Sequence, residues 1–407
     1  MSPLSALVLQ ASGLHRSTAV TALHHLGYSF LSEVSSNAFA LDRLRSQGGV
    51  HLLICDVRID PVARLEFLQT VARERLAHGV VVSGEMAPGT WSALAHLLQL
   101  QGMKVFWLGN EAATLERLRA LLADFQPREA QLGLPLGEST PGEDGETTNL
   151  PARGQLRAYL QPKVCVATAQ VYGFEVLARW QLEDAGVLSP DEFLPGLRRA
   201  GKLDGMLFEL MSQAVEALRA QGNTDLKLSF NLEAEQIAQT GFAATVERTL
   251  HALRIDPRRI TFELTENSPL HAPSLSLENV LRLRLLGCGL AIDDFGCGHS
   301  TLQRLMELPF TEMKLDRHLL ADLNNGDPRR LIVLRNALAL GRKLGLRVIA
   351  EGVENAAQLR QLQQLECDCA QGYLFGRPMD AGQVGSFLRG GPLRLQKLEA
   401  VQAIRPA

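Results

Sequence analysis

The chain has 407 residues, enough for two or three domains of ordinary size, and 46% of them are hydrophobic, which excludes a largely disordered protein. Lys and Arg number 41 against 44 Asp and Glu, and this formal net charge of −3 gives no support to nucleic-acid binding or a polybasic membrane patch. The apolar runs are shorter than the roughly 18 residues that a membrane span needs, so we expect no span. The start, MSPLSALVLQASG, lacks the basic region of a secretory signal.

The cysteines are scattered along the chain, and none of them forms a CxxC pair. This usage predicts a reduced, cytoplasmic protein that has neither disulfide bonds nor a thiolate zinc site. The six cysteines are Cys55, Cys165, Cys288, Cys297, Cys367 and Cys369.

Residues 1–126 alternate short apolar runs with helix-like stretches. The runs SALVLQA, HLLICDV, GVVVSGE and KVFWLGN are rich in Val and Leu, as buried parallel strands are. Apolar residues recur every three to four positions over 17–27, 67–79, 90–102 and 112–125, which predicts helices, and three of these stretches end at a glycine. The alternation predicts an α/β fold, a doubly wound parallel sheet with helices on both faces.

A change in composition separates this part from the rest of the chain. Residues 127–154 are rich in Gly, Pro, Glu and Thr and lack apolar periodicity, so we expect a flexible linker. Eight strand-like segments follow in residues 155–390, mostly separated by helical patterns, and this number of strands suits a (β/α)8 barrel of roughly 250 residues. Residues 391–407 form a C-terminal tail. The eight segments are YLQPKV, FEVLAR, LKLSFNL, ITFELTE, LAIDDFG, EMKLD, RVIAEGV and CAQGYLFG.

Seven of these segments carry, at or near their end, a hydrophilic residue that an apolar strand does not otherwise favour. In a barrel the carboxyl ends of the strands meet at one mouth, so these side chains would converge. Carboxylate and amide oxygens are ligands of Mg²⁺ or Mn²⁺, and two such ions would offset the repulsion among the acids and suit phosphate-ester hydrolysis. The residues are Glu175, Asn231, Glu263, Asp293 with Asp294, Lys314, Glu351 and Gln371.

Other interpretations of these residues are open at this point. Any one acid at a strand end is more simply a helix cap or a surface residue, although the adjacent pair in DDFG after an apolar strand is more telling. Acidic barrel mouths also belong to glycosidases and to enolase-like lyases, so the spacing alone leaves the reaction undecided.

Several motifs within about residues 155–390 resemble those of the EAL domain family and occur in the same order along the chain. That family hydrolyses the bacterial second messenger cyclic di-GMP to linear pGpG, so the resemblance implies a phosphodiesterase that depends on Mg²⁺ or Mn²⁺. The characteristic triplet reads EVL here, with Val176 in the place of Ala. The motifs are GFEVLARW, FNL, ELTEN, AIDDFGCGHSTL, EMKLDR, VIAEGVE and CDCAQGYLFGRPM.

The resemblance also implies roles for single residues. Lys314 matches the lysine that contacts the attacking water, and whether it or Glu351 takes the proton stays open. Gln371 helps to hold that water, Arg179 grips a substrate phosphate, and Glu266 stabilises the loop after the fifth strand. The implied ligands are Glu175, Asn231, Glu263 and Asp293 for one ion, and Asp293, Asp294 and Glu351 for the second.

The chain departs from the family pattern in two places. The loop DFGCGHSTL has Cys297 and His299 where the family usually has Thr and Tyr, and Arg198 and Arg199 replace two common glutamates. These changes support an alternative function, a non-hydrolytic cyclic di-GMP receptor or a protein-interaction module. A third hypothesis, a glycosidase-like hydrolase, predicts activity without divalent metal.

The first domain resembles a response-regulator receiver. HLLICDVR matches the strand that ends at the phospho-accepting aspartate, here Asp56, and Ser83 takes the hydroxyl position after the fourth strand. Gln10 and Ala11 replace the acidic pair that holds Mg²⁺, and the lysine expected after the fifth strand is missing. We therefore expect a receiver-like fold without ordinary phosphorylation, in which Asp56 is a relic. The alternative, in which Asp56 is a phospho-acceptor, requires the metal to be held in some other way.

The resemblances also imply partners. A receiver-like domain is a docking site for a histidine kinase or another signalling protein of two-component signal transduction. Because EAL relatives commonly pair through the barrel, we expect a homo-oligomer, a dimer or higher.

Overall fold

The chain divides into two compact units, residues 1–144 and 145–407. The predicted tail and nearly all of the predicted linker lie outside the residues that the structure describes, so the predicted domain limits stay predictions. No described helix is both long and apolar enough to cross a membrane. The structure, a computed structural model, describes residues 4–123, 125, 154–183, 186–222, 225–265, 272–296, 301–320 and 328–390.

The first unit is a five-stranded parallel sheet whose strands alternate with helices. Its strands are β1 (Leu4–Leu9), β2 (Tyr28–Val34), β3 (Val50–Asp56), β4 (Ala77–Ser83) and β5 (Lys104–Gly109). Its helices are α1 (Gly13–His25), α2 (Asn37–Ser46), α3 (Pro61–Arg73), α4 (Pro88–Leu100) and α5 (Leu115–Leu121). The strand order β2-β1-β3-β4-β5 is that of flavodoxin-like folds, which confirms the predicted fold class.

Three details of this unit differ from the sequence analysis, and the first is the helix α2, which was not predicted. The strand β2 was not predicted, because it is an edge strand with several exposed residues and weak alternation. The helical stretch predicted over 67–79 extends too far, since α3 ends at Arg73 and Arg75 takes a left-handed φ of 54°. Gly79 therefore lies in β4 and does not end a helix.

The second unit is built on a closed barrel of eight strands. Its strands are β6 (Gln155–Cys165), β7 (Val171–Gln181), β8 (Val187–Leu188), β9 (Lys227–Asn231), β10 (Ile260–Thr265), β11 (Gly289–Phe295), β12 (Glu312–Leu315), β13 (Arg347–Ala350), β14 (Cys369–Gln371) and β15 (Met379–Asp380). Closure follows the order β6-β14-β13-β12-β11-β10-β9-β7, with β7 pairing back to β6, and each predicted strand segment overlaps one of these eight strands. The short strands β8 and β15 pair antiparallel with β7 and β6, respectively.

The barrel is TIM-barrel-like but has one reversed strand. The strand β6 runs antiparallel to both of its neighbours, β7 and β14, whereas the other barrel pairs are parallel. The helix α12 comes so close to the barrel that a Cβ at Gly341 would collide with Val348 of β13. The helices are α6 (Pro190–Arg199), α7 (Leu203–Arg219), α8 (Ala234–Ile237), α9 (Phe242–Ala252), α10 (Pro273–Leu286), α11 (Thr301–Glu307), α12 (Pro328–Lys343), α13 (Ala356–Gln364) and α14 (Val384–Gly390).

Candidate active site

A buried lysine lies among four carboxylates inside the barrel. The Nζ atom of Lys314, on β12, lies 2.6 Å from Glu263 Oε2 and 2.9 Å from Asp293 Oδ1. The same Nζ lies 2.8 Å from Glu351 Oε1 and 3.6 Å from Glu175 Oε2. The side chain of Lys314 is only 1% exposed. The structure thus brings together acids from β7, β10 and β11 and from the residue that follows β13, as the sequence analysis predicted.

Two amides fix the orientation of Glu175. Asn231 donates its Nδ2 hydrogen to Glu175 Oε1 at 3.1 Å, and Gln371 donates its Nε2 hydrogen to Glu175 Oε2 at 2.6 Å. Gln371 also donates to Gln161 Oε1 at 2.9 Å. The next residue, Gly372, must lack a side chain, because a Cβ there would collide with the backbone of Val353. Asn231 of β9 and Gln371 of β14, both predicted to lie at the barrel mouth, thus contact the carboxylate of Glu175.

A second buried lysine, Lys163 of β6, was missed by the sequence analysis. Its Nζ lies 2.7 Å from Glu263 Oε1 and 2.5 Å from Ser229 Oγ. Glu263 is thus held between two ammonium groups, one on each carboxylate oxygen. Burial raises the pKa of Glu263, but Lys163 and Lys314 outweigh it and lower the pKa to about 2. The available signal was a charged residue within the strand-like segment YLQPKV.

Burial disfavours the charged form of three other acids of the cluster and so raises their pKa values. Burial raises the pKa of Glu351 to about 8, and repulsion from Asp293 and Glu175 adds to it against the attraction of Lys314. Burial also raises the pKa of Glu175 and of Asp293. For these three acids, burial and mutual repulsion therefore outweigh the attraction of Lys314.

Asp294, the residue after Asp293, adds a fifth carboxylate to the cluster at its outer side. Ligand oxygens of Asp293, Asp294 and Glu351 all lie within 4.8 Å of one another. Asp294 takes a left-handed φ of 57°, a conformation that Asp tolerates better than most residues, and its N–H donates to Asp293 Oδ1 at 3.0 Å. The turn in the backbone lets two successive residues present carboxylates to one place.

The donor set fits hard divalent cations. Its described members offer carboxylate oxygens and amide groups and no imidazole or thiolate, which is the chemistry of Mg²⁺ and Mn²⁺ sites. Five carboxylates face the two ammonium groups of Lys163 and Lys314, so negative charge is in excess. The buried Oε1 of Gln371 also has no hydrogen-bond partner among the described residues. A carboxylate cluster able to hold a divalent cation is therefore present.

Comparison with known proteins decides the family. The family profile described as "EAL domain" matches residues 146–378, more than half of the chain. The chain belongs to the EAL domain family. Cyclic di-GMP phosphodiesterase RocR of Pseudomonas aeruginosa is 34% identical to it over 381 residues, which cover 93% of this chain and 97% of RocR.

Two solved EAL structures resemble the second unit. The phosphodiesterase MucR of Pseudomonas aeruginosa, solved as a c-di-GMP complex, is 34% identical, with a TM-score of 0.51 over 56% of this chain and 94% of that one. An EAL domain protein of Listeria monocytogenes is 27% identical, with a TM-score of 0.52 over 57% of this chain and 91% of that one. Neither likeness extends to the first unit.

The remaining predicted residues of the EAL domain stand apart from the cluster or outside the description. Arg179 lies on the same face of β7 as Glu175, four residues further along, and donates to the carbonyl of Ala178 at 2.8 Å. Glu266, predicted to stabilise a loop, lies outside the described residues, as do Cys297 and His299. Of the two unusual arginines on α6, both exposed, Arg198 pairs with Glu233 at 2.5 Å.

In the first unit the predicted positions lie side by side at the ends of two strands. Asp56 and Ser83 are register partners on β3 and β4, and Gln10 donates to Ser83 Oγ at 3.5 Å. Arg58 grips both oxygens of Asp56, with Nη2 2.6 Å from Oδ2 and Nε 2.9 Å from Oδ1. Although burial raises the pKa of Asp56, the hydrogen bonds from Arg58 outweigh it and lower that pKa. An arginine of the chain itself thus neutralises this aspartate.

Proposed function

We propose that the EAL domain of this chain hydrolyses cyclic di-GMP to linear pGpG, and that the receiver-like unit modulates this reaction. The observation that carries the proposal is the cluster around Lys314, in which acids and amides from five strands meet an acid that directly follows β13. The similarity to RocR over nearly its whole length supports the same activity. Because a second messenger is made and degraded inside cells, we place the protein in the cytoplasm. Because EAL relatives commonly pair through the barrel, we also propose that it is a homo-oligomer.

In this proposal the residues of the cluster hold the metal ions, the attacking water and the substrate. Two Mg²⁺ or Mn²⁺ ions, held by Glu175, Asn231, Glu263 and Asp293 and by Asp293, Asp294 and Glu351, would supply charge neutralisation and a lowered pKa of water when bound. Lys314 donates hydrogen bonds to the attacking water, and Gln371 orients it through Glu175. Arg179 binds a phosphate of the substrate with its planar guanidinium group.

Glu351 is the proposed proton acceptor. Lys314 keeps its proton, because its carboxylate neighbours raise its pKa against the effect of burial, and this leaves Glu351 as the acceptor. Glu351 also lies at the outer side of the cluster, where its side chain is 19% exposed and can pass the proton to solvent.

Removing divalent metal tests the proposed reaction. Purified protein should convert cyclic di-GMP to pGpG with Mg²⁺ or Mn²⁺, and a chelator should abolish the conversion until metal is restored. Chromatography of the nucleotides measures it. Conversion that survives the chelator would contradict the metal-dependent mechanism, and binding of cyclic di-GMP without cleavage in either metal would support a non-hydrolytic receptor.

We infer that Asp56 is not phosphorylated, because its oxygens are engaged by Arg58 and the residues next to it offer no acid for Mg²⁺. Acetyl phosphate with Mg²⁺ should leave the intact mass of the protein unchanged. A phosphoryl adduct on the wild type that is absent from Asp56→Asn would contradict this expectation. A histidine kinase then has no substrate here, and a partner of the receiver-like unit would act by contact.

A further inference from the structure

Two cysteines lie opposite each other on the reversed strand β6 and its neighbour β14. Cys165, the last residue of β6, is the register partner of Cys369, the first residue of β14. The N–H of Val166 donates to the carbonyl of Asp368 at 3.0 Å, which makes the cysteines a non-hydrogen-bonded antiparallel pair. In such a pair the Cα atoms lie about 4.5 Å apart and the side chains share one face. This separation lies within the range of about 4.4–6.8 Å that a disulfide bridges.

The surroundings of the two thiols differ. Cys165 is half-buried and, with Cys369 and Arg347, lines a cavity of about 620 Å³ at the opposite end of the barrel from the cluster around Lys314. Burial raises the pKa of Cys165, but hydrogen bonds from Thr168 and Ala167 and the charge of Arg347 outweigh it, so this pKa lies below its usual value. Burial raises the pKa of Cys369 to about 12. Cys165 is therefore the better nucleophile and Cys369 the protected thiol.

We propose that Cys165 and Cys369 form a reversible disulfide when the protein meets hydrogen peroxide. The Cys165 thiolate attacks one peroxide oxygen and breaks the O–O bond, which gives a sulfenic acid and a hydroxide ion that takes a proton from solvent. The sulfur of Cys369 then attacks the Cys165 sulfur and expels water, with the thiol hydrogen of Cys369 leaving on that water. Two thiols are oxidised and one peroxide is reduced to two waters.

Other described cysteines are less suited to this chemistry. Cys367 is buried, its Sγ lies 3.3 Å from the carbonyl oxygen of Cys369, and burial raises its pKa to about 12. Cys288 lies in the short connection between α10 and β11. It is buried, and burial raises its pKa to about 12. The geometry thus selects one pair.

The bond would join the two strands that supply the nearest polar residues of the active site. Lys163 and Gln371 lie two residues from Cys165 and Cys369, respectively, and are themselves register partners on the same face. A disulfide would therefore fix the spacing of β6 and β14 directly below these side chains. The inference does not depend on the proposed hydrolysis, because the bond is detected chemically.

Peptide mapping of the full chain tests the proposal. Reduced protein is treated with a small excess of hydrogen peroxide, alkylated, digested with trypsin and analysed by mass spectrometry without reductant. We expect a cross-linked pair of peptides, lighter than their sum by two hydrogen atoms, that disappears on addition of dithiothreitol.

Variants identify the partner, because Cys367 and Cys369 lie on the same tryptic peptide. The cross-link should persist in Cys367→Ser and in the control Cys288→Ser, and it should be lost in Cys369→Ser. Alkylation of Cys165 and Cys369 as separate free thiols after peroxide would overturn the proposal, as would loss of the cross-link in Cys367→Ser. If a variant does not fold, fragmentation of the wild-type cross-linked peptides between Cys367 and Cys369 in the mass spectrometer identifies the bonded cysteine.

Discussion

Glu263→Gln is expected to lower the rate of cyclic di-GMP hydrolysis by more than about 100-fold, the upper range for loss of a residue that only supports a metal ligand. Glutamine keeps the shape of the side chain but removes the negative charge that two lysines and a divalent cation would share. Initial rates of pGpG formation at saturating Mg²⁺ measure the effect.

Glu312→Gln is the matched control for this change. Glu312 is another buried glutamate on a barrel strand, but it contacts Tyr172 and Arg347 and not the cluster around Lys314. We expect it to keep hydrolysis within a few-fold of the wild type. Wild-type turnover by a folded Glu263→Gln protein would remove the cluster from the mechanism.

Lys163→Met should destabilise the barrel by about 3–5 kcal/mol, the usual effect of removing one partner from a buried ion pair. Lys163 and Glu263 are almost fully buried, so water cannot replace the lost ammonium group, and Ser229 loses its donor as well. Urea unfolding followed by circular dichroism measures the free energy of unfolding.

The double variant Lys163→Met with Glu263→Gln separates the ion pair from general packing. If the pair matters, the double variant loses less stability than the two single variants together, by about 0.5–3 kcal/mol. Lys227→Met, which removes a lysine that packs over the ring of Tyr172, should lose only about 0.5–1 kcal/mol. A loss as small for Lys163→Met would mean that water reaches Glu263.

Barrel topology made most of the site predictable. Once eight strands are placed, the residues near their carboxyl ends must converge, which is why Glu175, Glu263 and Asp293 are found together. Lys163 escaped that reasoning because it belongs to the reversed strand, whose carboxyl end lies at the opposite end of the barrel from those of its neighbours. Which acid contacts which amine depends on barrel closure, so no local pattern reveals it.

In the first unit the sequence was informative about what is lacking. Gln10 and Ala11 indicated a lost metal site, but the grip of Arg58 on Asp56 was not foreseen, because an arginine two residues after an acid has no fixed direction in a loop. The edge strand β2 was missed for a related reason, since exposed strands carry little apolar signal.

The reversed strand also decides where the polypeptide enters the barrel. Because β6 runs against its neighbours, Gln155 pairs with Gln181 at the carboxyl end of β7, so the chain arrives at the catalytic rim and then descends towards Cys165. Lys163 lies along that descent with its ammonium group on Glu263. A displacement of Gln155 along β6 would therefore move Lys163 and, through its hydrogen bond, the carboxylate of Glu263.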